Sequence, residues 1–155
     1  IGCLCMGDPG LAPFVRQIAA PLACGNVVLA WHPEPERAAR VASLLTDAGL
    51  PGGALQILET NGPARLDGFL SDPRLAGVSF CGPPEIASEV GQVLAQRDVS
   101  IAPLIIHDER FEGSIGLPPC GSPHYLSRFV FERTLTIDTT SSGGNASLLS
   151  LGSEP

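Results

Sequence analysis

Cysteine and histidine side chains give this 155-residue chain its main capacity for chemistry. Cys120 and His124 stand four positions apart, and such a pair can act as nucleophile and base. Their segment is rich in proline, and no nearby acid would orient the imidazole, so we interpret both as ordinary loop residues. His107, with Asp108 and Glu109 after it, could exchange protons, but a solvated strand end explains this triplet as well, and we favour that interpretation.

A metal site could combine Cys3 and Cys5 with His107 or His124. The spacing matches no zinc pattern, and we expect the two thiols to lie on opposite faces of a strand. The cysteine count is odd and three of the residues have apolar neighbours, which indicates reduced thiols in a cytoplasmic protein. We therefore predict no metal site. The cysteines are Cys3, Cys5, Cys24, Cys81 and Cys120.

Two junctions between an apolar run and a helical pattern could hold the phosphates of a nucleotide. The junction from Trp31 to Glu34 has no glycine, whereas a dinucleotide fingerprint needs several. After Gly82, two prolines remove backbone N–H groups and Glu85 adds negative charge. We predict capped helices without a bound ligand at both places.

The elements that would position these groups alternate along the chain. Continuous apolar runs predict strands at 1–6, 27–31, 54–58, 76–81 and 100–106. Helical spacing predicts helices at 11–24, 33–48, 63–71 and 84–96. This alternation predicts an α/β fold over residues 1–106, a Rossmann-like parallel sheet with flanking helices.

Details of the first two helices can also be predicted. Asp8 is expected to cap the first helix, and Pro21 to kink it or end it early. The second helix should bury one stripe of side chains, consisting of Ala38, Val41, Leu44, Leu45 and Ala48.

The pattern changes after Ile106. Residues 107–127 are predicted to form a loop, and residues 128–155 a C-terminal antiparallel β-flap, with a strand to about Asp138 and a turn at 141–144. A two-stranded ribbon is marginally stable alone, so we expect the flap to lie against another surface.

Composition excludes several partners. Hydrophobic residues make up 44% of the chain and charged residues 16%, so we expect other protein to cover part of the surface. The net charge is −7, the nine basic residues are all arginine, and no apolar run approaches the ~20 residues of a membrane span. We therefore expect no binding to nucleic acid and no membrane association. The chain begins without Met, and we expect a fragment of a longer polypeptide.

Three segments, in order, resemble the NAD-binding domain of the aldehyde dehydrogenase superfamily. Residues 22–34, 48–56 and 72–87 look like the family's A-A-G-N-x-V-x-x-K-P, A-G-x-P-x-G-x-x-x and V-x-F-T-G-S-T-E-x-G motifs. The lysine that binds the cofactor should fall near Trp31 or His32 and is missing. Also missing are the capping serine and the last glycine of the third motif. The glycine-rich sequence around the general-base glutamate and the catalytic domain are missing too. The resemblance therefore implies no catalytic and no cofactor-binding residue here.

Residues 134–149 resemble the oligomerisation flap and C-terminal motif of the proline utilization A family, with Asp138 where asparagine is more usual. Those proteins join proline dehydrogenase to glutamate semialdehyde dehydrogenase and use FAD and NAD. Longer members carry an extra non-catalytic domain of the aldehyde dehydrogenase superfamily. The resemblance implies that this chain is such a domain, packs on the catalytic aldehyde dehydrogenase domain of the same polypeptide and helps to seal a substrate-channelling tunnel. The parent could be homo-oligomeric. The implied contact residues are Thr139, Thr140, Gly143, Gly144, Asn145, Ala146, Ser147, Leu148 and Leu149.

Two other classes stay open at this point. One is a vestigial or regulatory nucleotide-binding module, which saturable binding of NAD would reveal. The other is an enzyme that uses Cys120 or His107.

Overall fold

Five short apolar segments pair into one parallel sheet. The computed structural model describes residues 1–6, 10–59, 66–107, 122–132 and 134–135. The strands are β1 (Gly2–Cys5), β2 (Val28–Trp31), β3 (Leu55–Ile57), β4 (Val78–Cys81) and β5 (Leu104–His107). Their order across the sheet is β3-β2-β1-β4-β5, with each neighbouring pair parallel. This order reverses between β1 and β4, as in a Rossmann fold, and the predicted fold class is confirmed.

Four helices connect the strands and cover both faces of the sheet. They are α1 (Leu11–Ala23), α2 (Pro35–Asp47), α3 (Leu66–Leu70) and α4 (Pro84–Ala95). Side chains of α1 and α2 pack with Cys3 and Val28 on one face, and side chains of α3 and α4 pack with Leu4 and Phe80 on the other. In the described part of the chain, no helix has the length and apolarity to cross a bilayer.

Helix α1 lies over the centre of the sheet and contains two departures from expectation. It begins after Gly10, which makes no side-chain cap, whereas Asp8, the predicted cap, lies outside the described residues. It also continues past Pro21 to Ala23. Proline has no N–H to donate to the carbonyl four residues earlier, which is that of Gln17. The Cys3 thiol donates to that carbonyl instead, at 3.7 Å.

The Gln17 side chain ties α1 to both central strands. It is fully buried, and its Nε2 donates to the carbonyl of Leu4 at 3.0 Å and to that of Ser79 at 2.6 Å. Leu4 belongs to β1 and Ser79 to β4, so one amide bridges the two strands between which the order reverses. A buried amide that leaves its partners would cost about 1–3 kcal/mol, so these bonds fix the position of the helix.

The buried stripe predicted for α2 is partly wrong. Ala38 is buried and Val41 and Leu45 are half-buried, but Leu44 is 67% exposed and Ala48 is an exposed residue beyond the helix end. Helix α2 packs at the β3 side of the sheet, where few neighbours are available. A helix in that position buries a narrow stripe, and Leu44 falls outside it.

Strand β5 is shorter than predicted because its pairing starts late. The first bond to β4 is donated by Val78 N to the carbonyl of Pro103 at 2.9 Å. Residues 100–103 are therefore not part of the strand, and Ile101 is 93% exposed. Pro103 has no N–H to offer a ladder, so it suits a position at the start of an edge strand.

The predicted 107–127 loop and the strand from 128 differ from the structure. Residue 107 ends β5, and two helical turns follow later, α5 (Pro123–Leu126) and a 3-10 helix (Ser127–Phe129). Ser122 caps α5 by accepting a hydrogen bond from the Tyr125 N–H at 3.2 Å. Tyr125 and Phe129 pack on Ala20 and Ile105, so tertiary contacts stabilise these turns. Residues 130–132, 134 and 135 form no strand, and the rest of the predicted flap lies outside the described residues.

We predict that Gly82→Ala lowers the free energy of unfolding by about 1–3 kcal/mol, because the added Cβ would lie 2.6 Å from the Met6 carbonyl oxygen. The measurement is urea denaturation of the 155-residue chain. Gly52→Ala is the matched control, since nothing lies within 4 Å of a Cβ built there. Equal stability of both variants would contradict the close packing of Gly82 against β1.

Candidate functional site

The carboxyl ends of β1 and β4 are where an open parallel sheet of this order binds ligands. Met6 follows β1, is 7% exposed, and donates its N–H to the Cys81 carbonyl at 2.7 Å. Gly82 follows β4 and packs so closely on Met6 that a methyl group would not fit. The ends of these two strands are therefore in close backbone contact, and residues 7–9, which continue from β1 to α1, lie outside the described residues.

The helices that start at this edge are poor anion sites. Helix α4 begins with Pro83 and Pro84, followed by Glu85. Helix α2 has Glu34 at its N-cap, paired with Arg37 at 2.8 Å, and Pro35 at its first position. Prolines supply no N–H, and the carboxylates repel phosphate. The prediction that these helices are capped is wrong with respect to side chains, because neither N-cap makes a side-chain hydrogen bond.

His32 stands where the resemblance would place a lysine that binds cofactor, and it is turned into the protein. Its side chain is 2% exposed, and its ring lies edge-on to Phe14 with centroids 5.0 Å apart. Its Nδ1 accepts a hydrogen bond from the Glu34 N–H at 3.0 Å. Trp31 is also buried. Neither position therefore offers an exposed side chain to a dinucleotide.

The thiols of Cys3, Cys5 and Cys81 share one face of the sheet, in contact with α1 and α2. The expectation that Cys3 and Cys5 point to opposite faces is wrong, because residues two apart on a strand lie on the same side. Burial raises the pKa of the Cys3 thiol to about 12, so it stays protonated and is a poor nucleophile and metal ligand. Among the described residues, no three His, Cys, Asp or Glu side chains are close enough to hold a metal ion.

His107 has a packing role at the end of β5. The Tyr125 hydroxyl is hydrogen-bonded to its Nε2, and the two rings meet edge to face with centroids 5.3 Å apart. The Tyr125 ring also meets Phe129 at 5.3 Å. His107 thus helps to hold α5 against the sheet. His124 is exposed on α5, while Cys120, Asp108 and Glu109 lie outside the described residues.

An exposed apolar surface is the feature that sequence reasoning missed. We call it the α1 outer face. Its exposed apolar residues are Leu11, Ala12, Val15, Ala19 and Ala23. Arg16 is the one charged residue in α1. A helix that is apolar on all sides is normally buried, so this face is typical of a protein contact. The signal that could have revealed it is that α1 carries a single charged residue, Arg16.

A second exposed apolar stretch follows the 3-10 helix. Phe131 is 81% exposed and Leu135 is 83% exposed. Val130, which directly follows the 3-10 helix, is half exposed. The nine predicted contact residues at 139–149 come soon after in the sequence, outside the described residues. This end of the domain therefore also offers apolar side chains to a partner.

Comparison with known proteins gives the class of protein to which this arrangement belongs. Residues 9–104, more than half of the chain, match the aldehyde dehydrogenase family, and the chain belongs to that family. Within it, the chain is homologous to bifunctional PutA proteins. It is 39% identical to that of Klebsiella aerogenes over 97 residues, which are 61% of this chain and 7% of the relative.

Other relatives are also members of the aldehyde dehydrogenase family or PutA proteins. The phenylacetaldehyde dehydrogenase of Pseudomonas fluorescens is 39% identical over 79 residues, 50% of this chain and 16% of that enzyme. A crystal structure of Bradyrhizobium japonicum proline utilization A superimposes with a TM-score of 0.62 and 34% identity, over 68% of this chain and 11% of that protein. The chain therefore spans a small part of each relative named here.

We predict that the Cys3 thiol makes stability fall at alkaline pH. Its pKa is about 12 when folded and about 9 ordinarily, so its contribution is complete below pH 9 and is lost as the pH rises towards 12. Relative to Cys3→Ala, the native chain should lose about 1.4 kcal/mol of unfolding free energy per pH unit above 9. Urea denaturation between pH 8 and 10.5 measures this. Parallel curves for the two proteins would show that the folded thiol titrates normally.

Proposed function

We propose that this chain is a non-catalytic structural domain of a bifunctional proline dehydrogenase/L-glutamate-γ-semialdehyde dehydrogenase of the cytoplasm. In this proposal it packs on the catalytic aldehyde dehydrogenase domain of the same polypeptide and helps to seal the tunnel between the two active sites. The parent carries FAD and NAD, and this segment carries neither. The observation that supports this most is a family fold whose two helix N-termini at the ligand-binding edge carry prolines and carboxylates.

The residues at the carboxyl ends of the strands favour a structural role over a catalytic one. His32 is buried, and the N-termini of α2 and α4 carry prolines and carboxylates. The Cys3 thiol is held protonated by burial. Thioester chemistry needs an accessible thiolate beside a bound nicotinamide. Among the described cysteines, Cys3, Cys5 and Cys81 are buried, and the half-buried Cys24 donates its thiol to the Leu126 carbonyl at 3.6 Å.

The apolar surfaces favour a role in docking. The α1 outer face, together with Phe131 and Leu135, exposes side chains that would be stabilised by contact with another domain. Homology to proteins many times longer than the matched region supports a partner in the same polypeptide. The nine residues at 139–149 are the proposed contacts. Their contribution is to exclude water and retain an intermediate, which requires no proton transfer.

We predict that calorimetric titration of the 155-residue chain with NAD gives no saturable heat at millimolar concentration. The physical reason is the prolines and carboxylates at the N-termini of α2 and α4, together with the buried His32. An NAD-dependent dehydrogenase in the same buffer is the positive control. A Kd below about 1 mM, or ~4 kcal/mol of binding free energy, would favour the nucleotide-binding alternative instead.

We predict that Leu148→Asp combined with Leu149→Asp, in the full-length protein, lengthens the lag before NADH appears from proline by roughly tenfold. A carboxylate in an apolar contact costs more than the ~1.4 kcal/mol that corresponds to this factor. Each half-reaction, assayed with its own substrate, should keep its rate.

The matched control for this experiment is Leu44→Asp, because Leu44 is 67% exposed on α2 and should leave the lag unchanged. An unaltered lag in the double variant would remove the support for tunnel sealing. A slowed half-reaction would show that the tail acts on an active site rather than on the tunnel.

A further inference from the structure

Two cysteine thiols lie next to each other at the carboxyl ends of the two central strands. Cys5 is the last residue of β1 and Cys81 is the last residue of β4, and the parallel register pairs them directly. Both are buried thiols on the face of the sheet that α1 and α2 cover. They are remote in sequence, so it is the folded sheet that brings them together.

The spacing of the two strands suits a disulfide bond. Neighbouring strands lie about 4.8 Å apart, and a disulfide joins Cα atoms that are about 4.4–6.8 Å apart. Paired side chains leave the sheet in parallel directions, so the usual Cβ separation of about 3.5–4.5 Å requires the strands to close by at most about 1 Å. The strand ends are already close, because the Met6 N–H donates to the Cys81 carbonyl at 2.7 Å.

The other described cysteines are less well placed to react with Cys5. Cys3 lies two residues earlier on the same strand, so the Cβ atoms are about 6.6 Å apart and beyond the reach of a disulfide. The residue of β4 that pairs with Cys3 is Ser79, which has no thiol. Cys24 follows α1, where its thiol donates to the Leu126 carbonyl at 3.6 Å. The register thus gives Cys5 one suitable partner in the described part of the chain.

Cys81 is the thiol of the pair that a small oxidant can reach. It is 6% exposed at the end of β4, whereas Cys5 is fully buried. One accessible sulfur is enough for reaction, because the second sulfur attacks the first inside the protein. Hydrogen peroxide therefore suits this pair better than a bulky oxidant such as a glutathione disulfide.

We propose that Cys5 and Cys81 are a peroxide-sensitive pair whose disulfide ties β1 to β4 where the strand order reverses. The Cys81 sulfur attacks one oxygen of hydrogen peroxide, the O–O bond breaks, and the departing hydroxide takes the Cys81 proton as water, which leaves a sulfenic acid. The Cys5 sulfur then attacks the Cys81 sulfur, the S–O bond breaks, and hydroxide leaves with the Cys5 proton as water. The two thiols lose two electrons, and one peroxide becomes two water molecules. No other domain takes part, so the reaction is independent of the proposed function.

Peptide mapping after oxidation tests the pair. The 155-residue chain is treated with hydrogen peroxide, its remaining thiols are alkylated in urea, and a chymotryptic digest, cleaved after Leu4 to separate Cys3 from Cys5, is analysed by mass spectrometry without reductant. The peptides that contain Cys5 and Cys81 should be joined, and dithiothreitol should separate them. Cys3→Ala, on the same strand and face, is the matched control and should form the link at the same rate. Alkylation of both Cys5 and Cys81, or a main product in which either is linked to another cysteine, would overturn the proposal.

Two variants test the order of the steps. Cys5→Ala should abolish the link and leave a sulfenic acid on Cys81, which dimedone traps. Cys81→Ala should abolish the link and leave Cys5 without a dimedone adduct, because Cys5 is fully buried. A dimedone adduct on Cys5 in the second variant would overturn the assignment of Cys81 as the thiol that meets peroxide.

Stability measurements show whether the disulfide joins the native strands. The bond constrains the unfolded chain between remote residues, so the urea midpoint of the oxidised chain should lie at least about 1 M above that of the reduced chain. Dithiothreitol should restore the lower midpoint. An equal or lower midpoint after oxidation would overturn the proposal, because the bond would then distort the sheet instead of tying β1 to β4.

Discussion

The bridge that Gln17 makes between β1 and β4 is the interaction on which the rest of the arrangement depends. Its amide donates to carbonyls on both strands, so α1 is held across the place where strand order reverses. Pro21 removes the N–H that would have served the Gln17 carbonyl, and the Cys3 thiol replaces it. Gln17 thus joins the helix to the sheet twice, through its side-chain amide and through its backbone carbonyl. This fixes which side of α1 faces inward, and therefore which apolar residues form the α1 outer face.

Much of the fold could be predicted because strands buried on both faces have a simple pattern. The runs that became β2 and β4 are continuously apolar and bounded by turn residues, so their type and place follow from local sequence. The start of β5 could not be predicted in this way, since it depends on which carbonyl accepts the hydrogen bond from the Val78 N–H. Helix α5 was hidden for a similar reason. Its segment is rich in proline, and the contacts of Tyr125 and Phe129 with distant residues stabilise it.

The candidate site was predictable mainly through what its residues cannot do. Prolines and carboxylates after β4 have the same effect in any conformation, so the poor anion site could be inferred without coordinates. The close approach of Gly82 to Met6 could not, because the two residues are remote in sequence. Gln17 was missed since a lone polar residue in an amphipathic helix is usually assigned to the solvent side. The α1 outer face was missed because the helix already had enough apolar residues to cover the sheet.

The uncovered surfaces lie on different sides of the sheet, and this bears on how such a domain could act. The α1 outer face is on the side of α1 and α2, whereas the groove lined by Val27, Leu29 and Gln56 opens on the side of α3 and α4. A domain that meets protein on one side can move away from its partner as a unit. A domain held on two sides cannot leave without exposing apolar area twice, and each exposed Å² costs about 25 cal/mol. Contact on both sides would make it a fixed wall, which is the property that retention of an intermediate requires.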